Sequence, residues 1–175
     1  MEIRTASASD AEAVAQLHAN SWRRNYRGAY LDSYLDGDVV SERVAVWTER
    51  LGAARRDTCT VVADDEGEVV GFAHTIFDDD PEWGALLDNL HVANALKGQG
   101  VGTRLMAASA QGVLERTPPT GLYLWVLEQN AAAQAFYRAR GGAEVGRTLK
   151  GPFPGGGNAM ALRIAWPDPA RLLFP

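Results

Sequence analysis

The period of hydrophobic positions changes along the chain and divides it into helical and extended segments. Over residues 10–20 and 39–52, apolar side chains recur every three or four positions, which predicts two amphipathic helices. From residue 58 the apolar positions alternate instead, and the segments 58–65 (TCTVVADD) and 68–77 (EVVGFAHTIF) are rich in β-branched residues. The turn-forming run DDEGE joins these two segments and predicts an antiparallel hairpin.

The second half of the chain alternates between extended and helical patterns. Its apolar positions predict helices at 100–116 and 130–141, and strands at 84–92, 122–129, 143–148 and 158–165. The predicted order α-α-β-β-β-α-β-α-β-β favours an α/β fold in which one mixed sheet carries helices on both faces. A length of 175 residues suits one domain spanning residues 1–175.

Two connecting segments need separate interpretation. Residues 21–36 hold four aromatic rings, which either pack a helical pair onto the core or line a substrate pocket: Trp22, Tyr26, Tyr30 and Tyr34. Residues 78–83 (DDDPEW) contain three consecutive aspartates but lack the alternating ligands and closing glutamate of a calcium loop. Because Pro81 also bars strand continuation, a solvated turn is predicted there.

Composition narrows the classes of function. The formal net charge of −5 disfavours a sequence-independent DNA binder and is compatible with an amine substrate. Cys59 is the single cysteine, and the three histidines are too scattered in sequence to predict a metal site. The chain shows neither an apolar signal region nor a membrane-spanning run, so we expect a cytoplasmic protein with no membrane or nucleic-acid partner.

The segment LHVANALKGQGVGTRLM, residues 90–106, carries the clearest chemistry. Between a predicted strand and a predicted helix start, glycine occupies every second position, at Gly98, Gly100 and Gly102. The first amides of a helix have no internal partners and lie at the positive end of its dipole, and glycine lets that backbone approach an anion closely. Together with the cation Lys97, the segment predicts a phosphate-binding loop.

Two well-known phosphate loops do not fit this spacing. A P-loop places lysine directly before serine or threonine, whereas here Gly102 precedes Thr103 and Lys97 comes first. A dinucleotide-binding turn requires G-x-G-x-x-G and a later acidic residue, but this chain has G-x-G-x-G followed by the strand GLYLWV.

The chain instead resembles the GCN5-related N-acetyltransferases, the GNAT family. Their apolar–x–Val strand end corresponds to Leu90-His91-Val92. Their [Gln/Arg]-x-x-Gly-x-[Gly/Ala] motif corresponds to Lys97-Gly98-Gln99-Gly100-Val101-Gly102, with Lys97 as the one departure. A second signature, a strand followed by asparagine and then an aromatic pair, corresponds to Asn130, Phe136 and Tyr137. The resemblance implies an acyl-CoA N-acyltransferase-like fold, in which a single mixed, mostly antiparallel sheet splays at its centre.

The resemblance also implies acetyl-CoA as cosubstrate, with no metal. Its pyrophosphate is expected on the loop from Lys97 through Gly98, Gln99, Gly100, Val101 and Gly102 to Thr103. Its pantetheine arm is expected along Leu90, His91 and Val92, with the Val92 amide on the thioester carbonyl and Asn130 on the arm. Asn130 also suits a helix N-cap whether or not a ligand is present.

The family places a proton donor for the leaving thiolate at the position of Tyr137. For the general base, alternation along LLDNLHV places Asp88 on the face of Leu90 and Val92 and puts His91 on the other face unless a bulge rotates it. Asp88 is therefore the first candidate, ahead of His91 and of three others: His74, Glu82 and an ordered water.

Trp22, Tyr26 and His74 are the candidates for the acceptor pocket. A small amine, a peptide and a protein amine all remain possible acceptors, and the chain is expected to be a monomer or homodimer. A direct transfer in a ternary complex is favoured over an acyl-cysteine at Cys59, which is better explained as a small core residue. The alternative from another class is a non-catalytic CoA-binding or regulatory module on the same fold.

Overall fold

One sheet organises the part of the chain that the computed structural model describes, residues 1–53, 55–153 and 155–174. Its seven strands lie in the order β1-β2-β3-β4-β5-β7-β6. Their bounds are β1 Glu2–Thr5, β2 Thr58–Asp65, β3 Glu68–Asp80, β4 Gly84–Val92, β5 Leu122–Leu127, β6 Ala143–Lys150 and β7 Ala159–Trp166. The predicted hairpin is β2–β3, whose register runs from Thr58 opposite Ile76 to Asp65 opposite Glu68.

The centre of the sheet is where the strands separate. Every neighbouring pair is antiparallel except β4 and β5, which run parallel and pair only at Ala85 with Leu122 and Leu86 with Tyr123. Beyond Leu86 the two strands diverge, so their facing backbone groups are not joined in a ladder. This mixed, mostly antiparallel sheet with an open centre confirms the predicted fold class.

Five α-helices cover the sheet: α1 Ala11–Asn25, α2 Asp32–Leu35, α3 Val39–Gly52, α4 Val101–Leu114 and α5 Ala131–Arg138. On one face, α1 and α3 bury Val14 and Trp47 against Phe72. On the other face, α4 and α5 pack Leu105 and Tyr137 into the larger core cluster, as the helical periodicity requires. Within the described residues, none of these helices is long and apolar enough to cross a membrane.

Several element bounds differ from the sequence prediction. β1 was not predicted, because four residues at a sheet edge give too short an alternation; it is held by antiparallel pairing with β2. Helix α1 continues five residues past Asn20, and the aromatic segment forms the one-turn helix α2. β3 continues through Asp80, so the predicted solvated turn is confined to residues 81–83 and begins at Pro81.

The register of β4 corrects the predicted alternation around Asp88. Asn89 pairs with His74 of β3 while Leu87 pairs with Thr75, so Asp88 is an extra residue in β4. A bulge of this kind reverses which face the following side chains take. Leu87 and Leu90 consequently both contact the core under α4, and Asp88 does not share the face of Leu90 and Val92.

Candidate active site

A cavity of about 380 Å³ lies where β4 and β5 diverge. Its walls are residues 87–92 of β4 and 124–127 of β5, with the start of α4 and residues 130–140 closing one end. Ser21, Asn25 and Tyr26, from the end of α1, close the other. The cavity thus runs from the glycine loop to the face of the sheet that α1 and α3 cover.

The glycine loop has the backbone that its sequence predicts. Gly98 and Gly100 both have φ of +82°, a conformation that favours glycine, and Gly100 is the N-cap residue of α4. A Cβ on either glycine meets no atom within 4 Å, so the space beside the loop is open. The free amides of the first turn of α4 adjoin that space, and the loop therefore fits a diphosphate group.

Arg140 is the part of this end that the sequence analysis missed. Its guanidinium donates to the Thr103 hydroxyl, with Nε at 2.8 Å, and to the Phe136 carbonyl at 3.0 Å. It also stacks 3.7 Å from the centroid of the Phe136 ring. These contacts join α5 to the first turn of α4 across 37 residues, so no local pattern announced them. They hold a positive charge beside the glycine loop.

The open strand β4 presents backbone groups along the cavity. The Ala93 amide donates to Val70 of β3 at 2.8 Å. Because successive amides of a strand point in opposite directions, the Val92 amide points away from β3, toward the gap between β4 and β5. Leu90, His91 and Val92 all line the cavity. The geometry suits an extended ligand arm that pairs with β4 in place of a neighbouring strand.

Asn130 and Tyr137 stand on the β5 side of this gap. Asn130 caps α5, with Oδ1 accepting from the Ala133 amide at 3.2 Å, and it also lines the cavity. Tyr137 is 9% exposed and lines the cavity, and its hydroxyl has no hydrogen-bond partner among the described residues. Burial, with a smaller effect from Tyr26, raises the pKa of Tyr137. The phenol therefore holds its proton at neutral pH and can donate it.

Asp88 and His91 both line the end of the cavity nearest α1 and α3. The Asp88 carboxylate accepts a hydrogen bond from Arg50 of α3 at 3.1 Å and remains about one-third exposed. The His91 Nδ1 lies 2.7 Å from the Ser21 hydroxyl. Burial, with a smaller effect from Lys97, lowers the pKa of His91 to about 4, so its imidazole is neutral at pH 7.

The aromatic segment divides between the two interpretations. Trp22 and Tyr30 are buried in a cluster with Leu127 of β5, as the packing interpretation predicts. Tyr26 instead lines the cavity, and burial, with a smaller effect from Asp88, raises the pKa of its phenol to about 12. In this segment, Trp22 and Tyr30 therefore pack in the core, whereas Tyr26 lines the cavity.

Some predicted site residues lie away from the cavity wall that the described residues form. Gln99 belongs to the loop and Val101 to the first turn of α4, and neither lines the cavity. Trp22 does not line it either, although its ring centroid lies 6.0 Å from that of Tyr26. His74 is buried beneath α3, with Nδ1 2.7 Å from the Thr60 hydroxyl and its ring against Trp47. Their proposed roles in binding stay predictions.

The three histidines converge in space although they are distant in sequence. The His18 ring centroid lies 4.8 Å from that of His91, and His18 Nδ1 accepts from the Trp47 indole at 3.0 Å. The ring of His74 also contacts Trp47, with ring centroids 5.4 Å apart. Among the described residues, however, no three His, Cys, Asp or Glu side chains are grouped as metal ligands. Cys59 is half-buried in β2, and burial raises the pKa of its thiol.

Comparisons with known proteins agree with this geometry. The family model for the acetyltransferase (GNAT) family matches residues 12–141. The "Probable N-acetyltransferase Rv2775" of Mycobacterium tuberculosis is 29% identical over 153 residues, covering 85% of this chain and 83% of that protein.

Solved structures share the fold at low sequence identity. The PaiA N-acetyltransferase of Thermoplasma acidophilum, solved with coenzyme A, has a TM-score of 0.69 at 17% identity over 94% of this chain and 98% of its own. The yncA protein of Salmonella typhimurium, solved with acetyl-CoA, has a TM-score of 0.68 at 17% identity, over 95% and 93%. With a family model that spans most of the residues, the chain belongs to the GNAT family of acetyltransferases.

Proposed function

We propose that this protein transfers the acetyl group of acetyl-CoA directly to an amine acceptor. The observation that carries the proposal is a single cavity that joins the glycine-rich start of α4 to a buried tyrosine and a carboxylate. The names of its relatives as N-acetyltransferases support the same reaction. The acceptor and the donor would enter the cavity from its opposite ends.

The donor end is assigned to the glycine loop and its neighbours. The amides between Gly98 and Thr103 would hold the pyrophosphate, with Lys97 and Arg140 as nearby cations. The Val92 amide would donate to the thioester carbonyl, where negative charge grows as the bond to nitrogen forms. Acetyl-CoA supplies the acetyl group in an activated form, as a thioester.

The proton transfers are assigned to Asp88 and Tyr137. A primary amine is mostly an ammonium at neutral pH, so it must lose a proton before it attacks. Asp88 attracts the ammonium and accepts its proton, directly or through water, while the neutral His91 imidazole adds no repelling charge. As the carbon–nitrogen bond forms and the carbon–sulfur bond breaks, Tyr137 donates its phenolic proton to sulfur.

The decisive experiment measures thiol release from acetyl-CoA with a panel of amines, beside calorimetric binding of acetyl-CoA. We expect Tyr137→Phe to lower kcat by roughly 10²–10⁴-fold and to bind acetyl-CoA as the wild type does, since only a proton donor is removed. Tyr34→Phe is the matched control, because its hydroxyl bonds to Glu42 outside the cavity. Tight acetyl-CoA binding without amine-dependent thiol release would instead identify a non-catalytic binding module.

A further inference from the structure

Two cationic side chains flank an aromatic ring in the wall of the cavity. Trp125 of β5 is half-buried and lines the cavity. The Lys150 Nζ lies 4.1 Å from the centroid of its ring, and the Arg163 guanidinium carbon lies 4.6 Å away. Arg163 also lies within 5.2 Å of the Tyr123 ring centroid. Stacking on aromatic rings holds both charges in place without neutralising them.

The strand register explains why these side chains meet. Trp125 pairs directly with Arg163 of β7, and Lys150 of β6 pairs with Ala159, an even number of residues from Arg163 on the same strand. Cross-strand partners share a face, so all three side chains lie on one side of the sheet. It is the side that α1 and α3 cover elsewhere, and on which Asp88 meets Arg50.

Among the described residues, Lys150 has no carboxylate partner, whereas Arg163 forms a long ion pair with Asp80. In the described part of the chain, Lys150 forms no hydrogen bond or ion pair, and the Arg163 Nε is buried without a hydrogen-bond partner. Asp80 Oδ2 is 3.8 Å from Arg163, too far for a hydrogen bond, and the Asp79 carboxylate accepts from the Tyr123 hydroxyl. Burial, then the charge of Arg163, lowers the pKa of Lys150, and Asp79 raises it by a smaller amount.

Asp88 lies on the same side of the sheet as these cations, on the strand at the other side of the cavity. Asp88 on β4 and the Tyr26 phenol line the wall nearest α1. Lys150 and Arg163 do not line the cavity themselves but stack on Trp125, which forms part of the opposite wall. A carboxylate on one side and two cations on the other complement a molecule with an amino group and an anionic group. A polyamine or an aminoglycoside would instead place additional positive charge against Lys150 and Arg163.

We infer that the acceptor is an amine that also carries a carboxylate, which Lys150 and Arg163 bind while the amino group lies at Asp88. This inference rests on the proposed acetyl transfer, which it makes more specific. A guanidinium stacked on an indole keeps its N–H edge free for a carboxylate, and Lys150 adds a second charge-assisted hydrogen bond. Amino acids are thus the class of acceptor to examine first.

The test compares acceptors that differ only in this charge. Thiol release is measured with glycine, β-alanine, γ-aminobutyrate and the L-amino acids, each beside its carboxamide and its phosphonate analogue. For the best acceptor, we expect the acid to exceed its amide by about tenfold or more in kcat/KM, which corresponds to about 1.4 kcal/mol. A phosphonate preferred over the carboxylate, or an amide as good as the acid, would overturn the inference.

Variants then locate the preference. Lys150→Gln should lower the ratio of acid to amide about tenfold, and Lys150→Arg should restore most of it. Arg147→Gln is the matched control, because Arg147 lies on the same strand, pairs opposite Leu162 and contacts Glu128 instead. A ratio unchanged by Lys150→Gln would place the selectivity elsewhere and contradict the assignment.

A binding measurement separates this inference from the proposed reaction. If no acceptor releases thiol, acetyl transfer fails, yet the enzyme saturated with CoA can still be titrated calorimetrically with the same acids and amides. Tighter binding of the acids, lost in Lys150→Gln and kept in Arg147→Gln, would support the anion site alone. Equal binding of acids and amides would reject the site whatever the outcome of the kinetic assay.

Discussion

Asp88 gains its position from one extra residue in β4. The bulge turns this carboxylate to the side of α3, where it accepts a hydrogen bond from Arg50 at 3.1 Å. His91, three residues later, then faces α1 and bonds to Ser21. Both side chains reach the cavity, but only Asp88 bears a negative charge that attracts an ammonium. Because both residues have access, we propose Asp88 as the base on the ground of its charge.

The corresponding variant is Asp88→Asn. We expect kcat/KM to fall by roughly 10²–10⁴-fold and the acidic limb of its pH profile to disappear, because that limb reports the essential base of the free enzyme. Rates of thiol release across pH, with Asp32→Asn on the surface as control, measure both effects. If the limb persists and only KM rises, Asp88 binds the acceptor, and the base is His91 or a water.

At the scale of elements, the loop before α4 and the gap between β4 and β5 form one continuous cavity wall. The gap exposes the amides of β4, and the loop turns the chain so that α4 starts where the gap ends. Gly98 and Gly100 take the left-handed conformation that this turn requires. Their missing side chains leave room for a ligand, so the same atoms serve the fold and the site.

Gly100→Ala separates these two contributions. A non-glycine residue in the left-handed region costs about 1–2 kcal/mol, and its Cβ would enter the space assigned to phosphate. Gly67→Ala is the matched control, with φ of +94° and an equally open Cβ position in the β2–β3 turn. We expect similar losses in unfolding free energy for both variants, but a loss of acetyl-CoA affinity of about tenfold or more only for Gly100→Ala. Equal affinities by calorimetry would remove the loop from the site.

At the scale of the whole molecule, the histidines make stability depend on pH. Burial lowers the pKa of His74 and of His91 to about 4, and lowers that of His18 well below its usual value. The unfolded chain binds these protons near pH 6.5, whereas the folded chain resists them down to about pH 4. Stability is therefore full above about pH 6.5 and falls as the pH drops toward 4.

Urea unfolding at several pH values measures this effect. Each buried histidine should remove about 1.4 kcal/mol of unfolding free energy per pH unit within that window. His74→Gln can keep a hydrogen bond to Thr60 and should flatten the slope by one such increment. A slope that is the same in wild type and variant would show that His74 is protonated in the folded protein without penalty.

Local patterns determined most of the elements and the donor loop. The period of apolar residues placed α3 and the hairpin β2–β3, and the alternating glycines Gly98, Gly100 and Gly102 predicted the start of α4. Such features rest on φ and ψ preferences and on neighbours a few residues apart, which the sequence carries directly. The short edge strand β1 was not predicted because its support comes from other elements, through its pairing with β2 and the ion pairs of Arg4 with Asp10 and Asp64.

Contacts between distant residues were decided by the tertiary structure alone. The bulge at Asp88 exists because β4 has one more residue than β3 between two neighbouring pairs of the ladder. Arg140, which follows α5, donates to Thr103 in the first turn of α4. Lys150 lies near Arg163 because of the register of β6 and β7. Each depends on how strands align or helices dock, and the free energies involved are summed over many residues. The sequence by itself thus determined the fold class and the glycine loop, whereas only the packed sheet decided which charged side chains lie beside the cavity.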